Sequence, residues 1–271
     1  MPTLRRWSPI VLVALALSSG FAAAAEPASA PAPASPAAST NADRFFLSFA
    51  EDAAVVRSQW WEGDLVYTDG DLVDWFVARG VVAFQPWKNV EVGGRVGFGS
   101  SDGPSGFPDG TGATDLDAWG KYRWSLGGGT EVAAGALLTV PTGDDTAGLG
   151  RDAFDVEGFG SIRHAFSKVI AAGHFGFRLN GDGSVGGNAY SGKTQAFFGG
   201  GAIVPLSSEL SLVGEAVFRS EWADGGDPDY RILGGVNWRV AQGGMLRGSV
   251  AIGLSDGAPD LELTAGYAFT F

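Results

Sequence analysis

The sequence predicts an all-β protein: a single transmembrane antiparallel up-and-down β-barrel of about twelve strands. Three observations predict it. Apolar and polar residues alternate with a period of two along most of the chain after residue 43, and no segment there shows a convincing helical period. The alternating segments run to about 11–14 residues, where strands of globular proteins usually have about 5–6 and a tilted membrane-spanning strand needs about 9–11. The connections between them alternate short and long, the asymmetry of outer-membrane barrels with tight periplasmic turns and longer outside loops.

The elements follow in order. MPTLRRW supplies a positive region (Arg5, Arg6), Ile10 to Leu17 an apolar run, and Ala22 to Ala25 a small-residue cleavage site, so residues 1–25 read as a secretory signal peptide. Removing two arginines and no acid takes the net charge from −12 to −14. No cysteine follows to carry a lipid anchor, and the acidic balance argues against a nucleic-acid partner. EPASAPAPASPAASTNAD (26–43) is Ala/Pro/Ser-rich and reads as a disordered linker. The barrel is expected over 44–271.

Eleven strands are expected at 72–85, 89–100, 114–126, 130–141, 154–166, 168–180, 193–205, 209–222, 229–241, 244–255 and 261–271, with a twelfth of poorer pattern in 53–67. The short connections are QPWKN, SLGGG, FSK, PLSSE and AQGG; the longer ones, such as DGPSGFPDGTG and NGDGSVGGNAYSG, are rich in Gly and Asp. An even strand number puts both chain ends of the barrel on the short-turn side. RSQWWEGD (57–64), after RFFLSFA (44–50), is the least regular stretch, because the adjacent Trp60 and Trp61 cannot share a face of a straight strand. It is either a plug entering the lumen from the periplasmic side or a first strand with one inward tryptophan.

Each strand has one greasy face. Tyr230, Ile232, Val236, Trp238 and Val240 oppose Arg231, Asn237 and Arg239; Phe175, Phe177 and Leu179 oppose His174 and Arg178. Alternation alone also fits a soluble barrel with its apolar face inside. The signal peptide, the loop asymmetry and a C-terminal strand ending on Phe271 favour the apolar face outward, into lipid. Aromatics near strand ends (Trp87, Tyr122, Trp124, Phe166, Trp222, Tyr230, Trp238, Tyr267, Phe269) suit interfacial girdles.

GATDLDAWGKYRWSLGGGTEVAAGALLTVPTGDD (112–145) resembles the bacterial outer-membrane family labelled a phenol-degradation (meta-pathway) transporter family, through Asp115–Leu116, Lys121–Tyr122–Arg123 and Pro141–Thr142–Gly143. The resemblance extends over about 70–271. It implies a barrel of about twelve strands and uptake of hydrophobic or aromatic compounds, and it supplies no catalytic residues.

The opposite parity carries charges of both signs. Candidate pore-lining residues are Glu91, Arg95, Asp117, Lys121, Arg123, Arg163, His174, Arg178, Glu215, Arg219, Arg231, Arg239 and Glu262. Charges in a low-dielectric enclosure must be paired or wet, so they either fill a closed lumen with ion pairs or set the selectivity of an open one. Asp117 and Lys121, like Glu215 and Arg219, lie four apart on one face. Trp75, Val81, Trp119, Leu137, Phe159, Phe197, Val213 and Val217 share the inward parity and could line a path for an apolar solute or simply pack.

The expected function is passive or facilitated uptake of small molecules, with a closed structural or surface-binding barrel as the alternative and a lipid hydrolase as a weaker one. Hydrolysis needs a base beside a serine; His164 lies on the apolar parity near a turn, and His174 is expected within the charge network. No cofactor, metal site or catalytic residue is expected: GDD (143–145) and DGGDPD (224–229) lack EF-hand spacing, and FGGG (198–201) has no following helix. Expected partners are outer-membrane lipid and lipopolysaccharide, the barrel-assembly machinery through the strand ending at Phe271, and a small-molecule solute.

Overall fold

The computed structural model describes residues 43–241 and 243–270. The expected signal peptide, all of the expected linker except Asp43, and Phe271 lie outside the described residues. Fifteen strands form in chain order: β1 (Gln59–Asp69), β2 (Asp74–Trp87), β3 (Val90–Asp102), β4 (Gly110–Ala113), β5 (Leu116–Gly127), β6 (Thr130–Val140), β7 (Asp155–Ala165), β8 (Ile170–Leu179), β9 (Gly183–Val185), β10 (Asn188–Tyr190), β11 (Thr194–Pro205), β12 (Leu210–Arg219), β13 (Asp229–Ala241), β14 (Gly244–Gly253) and β15 (Leu261–Thr270). All pairings are antiparallel. Neighbours in sequence pair from β1 to β3, then β3 with β5, on to β8, β8 with β11, and on to β15. β15 pairs back onto β1, from Trp60 opposite Thr270 to Asp69 opposite Leu261, and closes a twelve-strand barrel. Closure gives every wall strand two hydrogen-bonded neighbours, the condition for crossing a bilayer with strands. β4 extends the β3 edge, and β9–β10 make a small hairpin within a loop.

The twelve expected strands are all present, and the barrel is the expected fold. The turn side is tight. Gly127, Gly128 and Gly129 all take positive φ (83°, 60° and 84°) in the β5–β6 turn, a backbone course that glycine follows without a Cβ clash. Long connections gather at the other end, at 103–115, 141–154, 180–193, 220–228 and 254–260. The β1–β2 connection at 70–73 is an exception: it lies on the long-loop side but is a short turn, with Gly70 N–H donating to Val73 O at 3.1 Å.

The faces divide as the alternation requires. Phe175, Phe177, Phe198, Trp87, Trp124 and Trp238 stand exposed on the outside, where a soluble protein would not leave so continuous an apolar surface. At mid-height the outward positions are small, as at Gly63 opposite Gly80 and Gly214 opposite Gly234. Large side chains stand above and below this waist. Trp222 departs from the expected girdle. β12 stops at Arg219, so strand parity no longer sets its direction, and it packs on Tyr190 (4.7 Å between rings) inside the loop end.

The least regular stretch holds two structures in succession. Residues 43–56 run inside the barrel and are buried except at Phe46 and Leu47, which are half-buried; β1 begins at Gln59. In β1, Trp60 points inward at 1% exposure and Trp61 outward at 51%. The region therefore holds a segment lying inside the barrel and, after it, a first strand with one inward tryptophan.

Candidate functional site: the lumen

The luminal segment occupies the short-turn half of the barrel, held by charges from the wall. Arg44, fully buried, donates to Glu91 of β3 at 2.9 and 3.2 Å and to Phe49 O at 2.7 Å. Glu91 also accepts from Val56 N–H (2.8 Å) and Trp119 Nε1 (3.1 Å), and Lys121 Nζ lies 3.1 Å away. Lys121 further donates to the carbonyls of Ala50 and Asp52. Arg163 of β7 meets Asp52 at 2.5 Å. Arg247 of β14 reaches Phe45 O and pairs with Glu62 of β1. Glu215 of β12 caps the segment's turn by accepting the N–H groups of Phe46, Leu47 and Ser48. At the turn-side rim Asp43 pairs with Arg239 at 2.7 Å and accepts from Ser211.

Apolar contacts complete the fit. Phe49 lies 5.5 Å from Trp60 and 5.9 Å from Trp119, ring to ring, and Phe45 joins Ile170, Ile203 and Val213. The wall makes room with glycine. A Cβ at Gly201 would fall 2.7 Å from the Phe45 ring, and one at Gly235 would fall 2.8 Å from Phe46. The glycine run in FGGG thus serves close packing.

Above the segment the lumen opens into a cavity of about 520 Å³. The loop 141–154 folds against its mouth: Asp115 accepts from Gly143 N–H and Arg151 N–H at 3.0 Å each, and Ser101 donates to Ala147 O at 2.6 Å. Six arginines line the cavity, and each meets a carboxylate. Arg79 pairs with Asp64 (3.0 Å), Arg95 with Asp117 (2.7 Å), Arg151 with Asp155, Arg178 with Asp155 (2.9 Å), Arg219 with Glu51 (3.1 Å) and Arg231 with Glu262 (3.0 Å). A thin cleft lined by Phe46, Phe49, Glu62, Asp64, Arg79, Val81, Arg95 and Arg247 continues between the segment and the β1–β3 wall.

The thirteen candidate residues separate by height. Arg95, Asp117, Arg178, Arg219, Arg231 and Glu262 border the cavity. Glu91, Lys121, Arg163 and Glu215 hold the luminal segment, and Arg239 ties its start. Arg123 sits at the turn-side rim with Glu131 and Asn89. His174 lies against Phe197, its Nε2 without a hydrogen-bond partner instead of bonded within the network. The four-apart charges on one strand do not meet, because four strand residues span about 13 Å. Asp117 and Lys121 bond instead to the adjacent strand, as do their partners Arg95 and Glu91 on β3. Glu62, Asp64 and Arg79 were not among the candidates. Their signal is parity with Trp60 on β1 and with Trp75 on β2. Arg44, Glu51 and Asp52 carry no such signal, since their segment has no strand period.

Ser161 and His174 are opposite in register on β7 and β8, yet neither Ser161 Oγ nor His174 Nε2 has a hydrogen-bond partner. They do not form a nucleophile–base pair. His164 faces outward and shares a 2.7 Å hydrogen bond with Thr130 near the turn.

No family model and no curated protein matches the chain. Among solved structures it is similar to an outer membrane channel from Pseudomonas putida F1, with a TM-score of 0.69 at 14% identity over 82% of this chain and 98% of that one. The fold is that of outer-membrane channels. The KdgM porin in complex with disordered oligogalacturonate (TM-score 0.57, 7% identity, 78% of this chain and 99% of that one) and the NanC porin (0.57, 9%, 78% and 100%) share it. The barrel, its apolar exterior and this likeness place the chain in the bacterial outer membrane.

Proposed function

We propose that this protein is a passive channel for small molecules across the outer membrane, closed toward the periplasm by its own residues 43–58 and opened when they move. The observation that carries the reading is the charged 520 Å³ cavity inside a closed, lipid-facing barrel, ending on a segment that belongs to no strand. An energy source is not needed: the barrel supplies a shaped, wet path down a gradient. The resemblance of 112–145 to a family implicated in aromatic uptake, with Val66, Val77 and Val217 in the cavity wall, favours solutes with a compact apolar body. Long loops at the outer end would meet lipopolysaccharide, and β15 would be presented to the barrel-assembly machinery.

The buried ion pairs around Arg44 and Arg163 favour a second reading, a barrel whose lumen stays shut. Liposome swelling with solutes of graded size distinguishes the two. Full-length barrel should pass small solutes slowly, and barrel lacking residues 44–58 should pass them at least several-fold faster. Absence of permeation by the full-length barrel would establish the closed-lumen reading, whatever the shortened barrel passes.

A further inference from the structure

We infer that Arg79 and Arg95 form a carboxylate clamp at the narrow end of the cavity, and that the solute recognised there is a small organic anion with an apolar body. The inference deepens the channel reading and rests on it for its physiological meaning.

Arg79 lies on β2 and Arg95 on β3. Arg95 is opposite Val81, two residues along from Arg79, so the two arginines are diagonal neighbours on the inner face. Diagonal Cβ atoms are about 7–8 Å apart, within reach of long side chains. Both line the large cavity, and both also line the thin cleft below it. They therefore stand where the cavity narrows into the cleft.

Their pairing leaves donors free. Arg95 bonds Asp117 through Nε, and Arg79 bonds Asp64 through Nε and one terminal nitrogen. A guanidinium offers five N–H donors in a planar fork. The other terminal nitrogens of these two have no hydrogen-bond partner among the described residues, and both side chains are 30% exposed, against 2% for Asp64 and 14% for Asp117. The carboxylates hold the arginines from behind, and the cavity meets guanidinium edges. Such fixed forks suit bidentate recognition of a carboxylate. Beside them Val66 and Val77, paired in register on β1 and β2, give an apolar surface for the body of the ligand.

The test uses full-length protein in detergent, with benzoate as the anion and benzamide as its neutral isostere, titrated calorimetrically. Benzoate should bind roughly tenfold or more tighter, the discrimination expected of charge-assisted hydrogen bonds. The preference should fall to near unity in Arg95→Gln/Asp117→Asn and in Arg79→Gln/Asp64→Asn, which remove a charge pair without stranding a buried carboxylate. Heat-modifiable migration on gels reports that each variant is folded. If either fails to fold, protection of Arg79 and Arg95 from phenylglyoxal by benzoate, read by peptide mass, locates the site in the unaltered protein. Equal binding of the two probes overturns the clamp. So does a benzoate preference that survives both paired variants, or modification of both arginines undiminished by benzoate. None of these readouts needs transport, so the clamp can fail while swelling succeeds, and the reverse.

Discussion

Arg44 ties the luminal segment to the barrel wall. It is fully buried, yet Glu91 and the Phe49 carbonyl answer its charge, and its guanidinium lies 4.3 Å from the centre of the Phe49 ring. A buried pair adds little net stability over an apolar substitute, and removing Arg44 leaves Glu91 answered by Lys121 and two neutral donors, a loss short of the about 3–5 kcal/mol of a charge stranded outright. Arg44→Ala should therefore free the luminal segment while the barrel, held by its ladder, stays folded. The expected result is a several-fold rise in mean conductance in planar bilayers with unchanged heat-modifiable migration; unchanged conductance would show that other contacts suffice to hold the segment. Arg44→Ala/Glu91→Gln should be less disturbing than the single change. At this scale the sequence was partly legible. Glu91, Lys121 and Glu215 carry inward parity and were readable as luminal. Their partners in 43–56 were not, because a segment folded against the inside of a barrel has no period of its own and its hydrogen bonds to the wall reach partners 35 to 203 residues away in sequence.

The strands were the most legible elements, since each must hide one face and expose the other along its whole length. Their ends were less so: β12 stops three residues before Trp222, and the hairpin β9–β10 arises inside a Gly-rich loop. The loops are pinned by short local bonds that sequence spacing does not reveal. Asp144 accepts from Thr146 Oγ1 at 2.6 Å and from Ala147 N–H at 3.0 Å, and these hydrogen bonds hold its carboxyl below the usual aspartate value of 3.8. Asp182 is lowered likewise by Gly192 N–H and the Ser191 hydroxyl. A depressed acid contributes order above its unfolded value and loses it as pH falls through the folded one. Loop 141–154 should thus be ordered at pH 7 and loosen below about pH 4, while the strands persist. Amide exchange at Ala147 checks this: it should quicken at pH 3 relative to strand amides, after correction for intrinsic rates, and Asp144→Ala should show the quick rate at pH 7. Equal protection at both pH values would mean that the Asp115 and Ser101 bonds alone hold the loop.

For the molecule as a whole, direction across the membrane follows from the distribution of chain between its two ends. Insertion from the periplasm carries the long connections across the bilayer and leaves the tight turns behind. Five of the six outer connections fit that pattern, and the 70–73 turn does not oppose it, since a short turn can lie at either end. The luminal segment then enters from the periplasmic side. Because the sequence contains no cysteine, single replacements report position without background. Ser105 is exposed in the 103–115 loop and Lys88 in the β2–β3 turn. A bulky impermeant maleimide applied to intact cells should label Ser105→Cys and spare Lys88→Cys, and breaching the outer membrane should make both react. Reversed labelling would invert the barrel and put the arginine-lined cavity on the periplasmic side, so that the segment would close the channel from outside. The same two variants also test the lipid-facing assignment, since a soluble periplasmic barrel would expose neither site on intact cells.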